Sequence, residues 1–196
     1  MPLTRTILFV TLFLVCSGWS AAQQPGPEFW RKLTCQPYEP RTQLETLEMK
    51  AESVVLRGFS QITTVDVRGV RIDVVEMRLM GAAARAKGIV VVLAQPTDGV
   101  QDNRAFVDYD ELDPLLRAID SLAGVDDNST KLVGFEAHYR TRGDLELRVF
   151  RQTSRGTAIT VQTGICNHAT QALTLDELAK VKAMIQEAKG RLDELR

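Results

Sequence analysis

The chain has 196 residues, with 24 basic and 25 acidic side chains, a formal net charge of −1 and 44% hydrophobic residues. So even a balance excludes the basic excess that polyanion binders carry. The length allows one ordinary domain whose core needs neither metal nor staples.

Arg5 precedes an apolar run from Ile7 to Val15, and Ser20-Ala21-Ala22 supplies small residues at cleavage positions. The pattern predicts a secretory signal peptide over residues 1–22, cleaved after Ala22, and a periplasmic or secreted product. The run is shorter than a membrane span and no second one follows, so no span is expected after signal removal. Lipidation at Cys16 is disfavoured because bulky Val15 precedes it. Only Arg5 among the charged residues leaves with the signal, so the remaining 174 residues carry a net charge of −2. Cys35 and Cys166 also remain, an even pair that predicts a disulfide in an oxidising compartment, with two free thiols as the alternative. Their spacing does not suit zinc, and no metal or cofactor is expected.

Residues 23–46, with Pro25, Pro27, Pro37 and Pro40, read as an extended N-terminal arm, and Trp30 reads as the anchor that docks it. A single domain over residues 47–196 is expected to follow. Between Leu47 and Val67 the β-branched residues favour strands, interrupted at Gly58. From Val70 to Leu79, Ile72 and Val74 alternate with charged residues, and then Val75, Met77 and Leu79 do so in the opposite phase. A β-bulge at Val74-Val75 would explain the slip. Gly81 to Ala86 reads as a turn, and the apolar run from Ile89 to Ala94 as a central strand buried on both faces.

The polar loop from Pro96 to Arg104 is the surplus of the first half, which makes Asp98, Asp102, Asn103 and Arg104 a candidate binding loop. Its aspartates lack the spacing and terminal glutamate of a calcium loop. Leu112, Leu115, Leu116, Ile119 and Leu122 mark the stripe of a helix lying on a sheet. Either Asp108 and Glu111 open that helix and Pro114 kinks it, or Asp113-Pro114 caps it after a preliminary turn. The acids around it are explained by the helix dipole without catalysis.

In the second half, Phe135, Ala137 and Tyr139 alternate with Glu136, His138 and Arg140, and Leu145, Leu147 and Val149 alternate with Glu146 and Arg148. That is the pattern of antiparallel strands with one wet face, here of mixed charge. His138 falls on this face and His168 in a loop, positions of solvated bystanders. Thr174 and Glu177 form a capping box, after which Leu175, Leu178, Val181, Ile185, Ala188 and Leu192 hold a helical stripe.

The two halves share anchors in the same order. Leu56-Arg57-Gly58-Phe59 matches Leu132-Val133-Gly134-Phe135, Arg68-Gly69 matches Arg142-Gly143, and Asp110-Glu111-Leu112 matches Asp176-Glu177-Leu178. The expected fold is therefore α+β: two pseudosymmetric repeats, about residues 47–124 and 125–196, each of three or four antiparallel strands and a helix. This order resembles that of Whirly and Pur proteins, and the resemblance implies single-stranded nucleic acid bound on the sheets. The net charge of −2 and the sparse aromatics oppose that implication. Phe106-Val107-Asp108-Tyr109-Asp110-Glu111-Leu112 and Tyr139-Arg140-Thr141-Arg142-Gly143 resemble uncharacterised secreted bacterial proteins, which implies export and no particular activity. With no nucleophile elbow, metal cluster or phosphate loop, the function expected is a non-enzymatic binding or structural module of unknown ligand or partner. A nucleic-acid or polyanion binder and an enzyme without a recognisable motif are the alternatives.

Overall fold

The computed structural model describes residues 39–94, 104–126, 128–152, 156–164 and 168–195. The expected signal peptide, Cys35, Cys166, Trp30, Asp98, Asp102 and Asn103 lie outside the described residues. Within them the chain opens on a short helix, α1 (Gln43–Glu48), and then forms two antiparallel four-stranded sheets, each followed by a helix. The first sheet runs in sequence order through β1 (Val55–Gln61), β2 (Val70–Leu79), β3 (Arg85–Leu93) and β4 (Arg104–Asp108), and leads into α2 (Leu112–Ala123). The second repeats this with β5 (Phe135–Arg140), β6 (Glu146–Gln152), β7 (Gly156–Thr163) and β8 (Ala169–Leu173), then α3 (Leu175–Glu194). The fold is α+β, as the pattern of strands and helices predicts.

Each helix packs away from its own sheet. The stripe of α2, which follows the first sheet, lies on β5 and β6 of the second, and α3, which follows the second, lies on β2 and β3 of the first. The two helices also touch each other, so Leu115, Ile119, Leu122, Val181, Ile185 and Leu192 join the inner faces of both sheets in one core. The core therefore draws on both halves, although α3 also touches β8 of its own sheet.

The expected bulge in β2 is absent. Its pairing with β1 and β3 runs one to one from Val70 to Arg78 with no skipped residue. The two phases are instead the two faces of one regular strand, because Val75 and Met77 belong to a second core on the outer face, with Ala86, Val90 and Phe106. α1 covers that face with Leu44 and Leu47. Two fully buried leucines contribute roughly 1.5 to 3 kcal/mol each. The end of the expected arm is thus a regular element, capped by its own box: Thr42 Oγ1 accepts from Glu45 N–H at 3.0 Å and Glu45 Oε2 from Thr42 N–H at 3.0 Å.

The ambiguous start of α2 resolves as a preliminary 3-10 turn, Tyr109–Glu111, followed directly by the helix. Pro114 falls in the first turn, where its missing N–H has no helical acceptor in any case, so it imposes no kink. The α3 box is as predicted: Glu177 Oε2 accepts from Thr174 N–H at 2.8 Å, which lowers the Glu177 pKa. Its stripe is corrected at one position, since Leu175 is 55% exposed while Met184 is buried. The short edge strands β4 and β8 were not foreseen as strands.

The shared Arg-Gly anchor does two different jobs. Gly69 supplies the left-handed residue (φ +76°) of the turn into β2, whereas in the second half the left-handed residue is Asp144 (φ 61°). Gly143 is needed for another reason. A Cβ there would stand 2.0 Å from the Phe106 carbonyl oxygen, because the β5–β6 turn bridges to β4 and joins the two sheets at this point.

Candidate functional site

The densest group of ionised side chains lies at that junction. The Asp108 carboxylate, at the end of β4, turns to the first turn of α1 and accepts from Gln43 N–H at 2.7 Å and Leu44 N–H at 3.1 Å. Burial raises its pKa, while those two amides and the Arg142 charge oppose the rise. Glu111 Oε1 accepts from Arg142 N–H at 2.8 Å, and the Arg142 guanidinium reaches Asp110 at 2.6 Å and Glu111 at 3.3 Å. Asp144, 3% exposed, is held by Arg41 at 3.1 Å and Arg140 at 2.8 Å. These carboxylates are therefore ligated by the chain's own amides and arginines. Their arrangement ties α1, the start of α2 and the β5–β6 turn together, with buried carboxylates paired to half-exposed arginines.

A cleft of about 440 Å³ beside the junction is lined by Gln43, Arg85, Ala86, Lys87, Asp108, Tyr109, Asp110 and Leu195. Its cations are also committed. Lys87 Nζ donates to the Leu192 carbonyl at 2.6 Å, completing the C-terminal end of α3, and stands 4.4 Å from the centre of the Tyr109 ring. Arg85 pairs with Glu76 at 2.7 Å. The Tyr109 hydroxyl bonds to Asp193, which raises the tyrosine pKa. A ligand here would have to displace bonds that hold the fold.

The outer face of the second sheet is wet and of mixed charge, as expected. Arg148 pairs with Glu136 at 3.3 Å and with Glu146, and Arg140 reaches Glu146 at 3.9 Å. On the first sheet Arg71 pairs with Asp73 at 3.3 Å and Arg78 with Glu76 at 2.8 Å. Each of these sheet arginines thus stands beside an acid.

The second cleft differs in kind. About 670 Å³ in volume, it opens where the C-terminal end of α2, the strands β6 to β8 and the first residues of α3 meet. Val149 pairs with Ile159, and Ile159 with Leu173, so these side chains form one apolar row across three strands. Leu122 and Val125 close one side and exposed Leu175 the other. Its polar rim consists of Thr157, Thr174, Asp126 and Asn128. Asn128 N–H donates to Asp126 Oδ1 at 2.9 Å and lowers the Asp126 pKa, so the rim carries a negative charge at neutral pH. The cleft thus sets an apolar floor beneath an open polar rim.

Of the candidates read from sequence, Arg104 is placed at the start of β4, 3.8 Å from Glu48 and over the Phe106 ring. His138 lies on the wet face near Glu136, and His168 stands half-buried just before β8. None of the three lines the second cleft. The cleft was missed because its residues come from four separate stretches of chain, and Leu175, which marks it, reads in the sequence as part of the α3 stripe. Among the described residues no group of His, Cys, Asp and Glu is placed to hold a metal, and no helix is long and apolar enough to cross a membrane. Comparison with family models, curated proteins and solved structures finds no match for this chain.

Proposed function

We propose that the chain is an exported, non-enzymatic binding module that holds a small neutral or cationic amphiphile in the cleft over β6 to β8. The observation that carries the reading is the row Val149, Ile159 and Leu173, an apolar floor inside a concave space with a polar, negatively charged rim. An anionic headgroup would meet Asp126, which disfavours fatty acids. Export is supported by Arg5, the Ile7 to Val15 run and the small residues before Gln23. A Cys35–Cys166 disulfide is supported by the even pair of cysteines that remains in an exported chain.

Nile red fluorescence, competed with decanol and with dodecanoate, tests the site. Decanol should displace the dye at lower concentration than dodecanoate. Leu175→Asp should weaken decanol binding about tenfold, the worth of one apolar side chain, with an unchanged melting temperature. Dye binding insensitive to both Leu175→Asp and Ile159→Asp would rule the cleft out. Decanol should be recovered unaltered, and a transformed product would replace the binding reading with an enzymatic one.

A further inference from the structure

We propose that β1 is an edge through which two copies of this chain pair, antiparallel, about a two-fold axis at Gly58. Among the described residues β1 is the outermost strand of the first sheet and hydrogen-bonds on one side only, to β2. Ile62 N–H donates to the Ile72 carbonyl and Val54 accepts from Met80 N–H, both at 2.9 Å, so the even-numbered residues face β2. Val55, Arg57 and Phe59 therefore turn their amides and carbonyls to the free edge. Arg191 donates to the Gln61 carbonyl at 3.4 Å and marks where that edge ends.

Of the usual protections this edge has one charged side chain, Arg57, whose guanidinium also reaches Glu48 at 3.4 Å. It has no proline, lysine or bulge, and it exposes Leu56 (56%) and Phe59 (73%), with Val54 beside them. Gly58 has no internal explanation. A Cβ there would meet nothing nearer than the Glu76 carbonyl oxygen at 3.9 Å, and its φ is not in the left-handed region. A glycine in a strand interior costs about 0.5 to 1 kcal/mol, which a close approach from outside the chain would offset.

The occupant that fits is a second copy. A two-fold axis normal to the sheet keeps each side chain on its own face, so the axis must pass through a residue rather than between two. Centred on Arg57, it sets guanidinium against guanidinium. Centred on Gly58, it pairs each Arg57 with Phe59 of the other copy, a cation over an aromatic ring, and makes the two Phe59 rings diagonal neighbours. The same contact already exists within one chain, where the Arg57 guanidinium lies 6.0 Å from the centre of the Phe59 ring. In that register the two Gly58 residues form the non-hydrogen-bonded pair at the axis, the point where the Cα atoms come closest. A single strand ladder buries less than about 800 Å² per partner, so the expected dimer is weak, with a dissociation constant of about 1 to 100 µM.

Sedimentation equilibrium of the full exported chain across that concentration range is the test. The chain should be in monomer–dimer exchange. Phe59→Lys, which sets a lysine against Arg57, and Gly58→Val, which crowds the axis, should each weaken the dimer about tenfold or more and leave the urea midpoint unchanged or higher. Under mild oxidation Gly58→Cys should cross-link the two copies, while Ser60→Cys, which faces Leu56 across the axis, should not. A monomer at every concentration overturns the proposal, whether residues 23–38 or a strand of another protein occupies the edge. So does a dimer that survives both Phe59→Lys and Gly58→Val, or one cross-linked through Ser60→Cys instead.

Discussion

The two sheets have the same strand order and each is followed by a helix, yet the first is covered on both faces and the second on one. In the first, Ile72, Ile89 and Val91 face α3, while Val75, Met77 and Val90 face α1. In the second, Leu147, Val149 and Val161 face the core and the opposite side carries Glu136, His138 and Arg148 in contact with water. The difference comes from six residues of helix. A strand whose apolar residues occupy both phases is not broken; it has a partner on each face, and the second partner can lie far away in the sequence.

The strongest way to break the pairing of the two halves is at Gly143, where the β5–β6 turn bridges to β4. Gly143→Ala drives a Cβ to 2.0 Å from the Phe106 carbonyl oxygen and 2.9 Å from its carbonyl carbon, neither of which can yield without moving β4. A loss of about 4 kcal/mol or more is expected in urea denaturation, in the range where backbone must shift. A loss under about 1 kcal/mol would mean that the β5–β6 turn does not sit against β4.

The covered and wet outer faces can then be compared directly. Leu44→Ala opens a cavity under α1 at a fully buried site and should cost about 2 to 4 kcal/mol. His138→Ala removes an exposed side chain from the second sheet and should cost about 0.5 kcal/mol or less. Equal costs would show that α1 does not cover the first sheet, and the phase change in β2 would again need a bulge.

That phase change shows how far the sequence is legible. β2, β3, β5, β6 and both long helices follow from periodicity, because each is long enough for its pattern to repeat. α1 is shorter than any window in which a helical period can be recognised, although its cap, Thr42 with Glu45, is the same signature that located α3 through Thr174 and Glu177. β4 and β8 have five residues each, and Ala169-Thr170-Gln171-Ala172-Leu173 has little β-branched character to mark it. The exchange of helices between sheets is beyond local pattern altogether, since a stripe states that a helix lies on a sheet and not on which one. The cleft over β6 to β8 depends on that exchange, for α2 closes it from the other half.

An effect smaller than that of Leu44→Ala lies in the clamp that holds α1, and its sign is informative. Asp108→Asn keeps the shape but offers one N–H where two backbone N–H groups already point, so about 1 to 2 kcal/mol should be lost at neutral pH. Burial outweighs the α1 amides and Arg142, so the folded pKa of Asp108 is raised above its unfolded value of about 3.9. A raised folded pKa means that the folded state takes up the proton first. The stability linked to this group is therefore fully present below the unfolded pKa and is lost as pH rises through the folded one. Asn does not titrate, so the deficit of Asp108→Asn relative to the native chain should widen as pH falls from neutral toward about 4. Urea midpoints of the two proteins at matched pH measure this. A deficit that narrows on acidification would reverse the order of forces, with the first turn of α1 and Arg142 stabilising the carboxylate more than burial penalises it. Asp108 would then be what attracts α1 to the first sheet, and not merely the group that α1 shields.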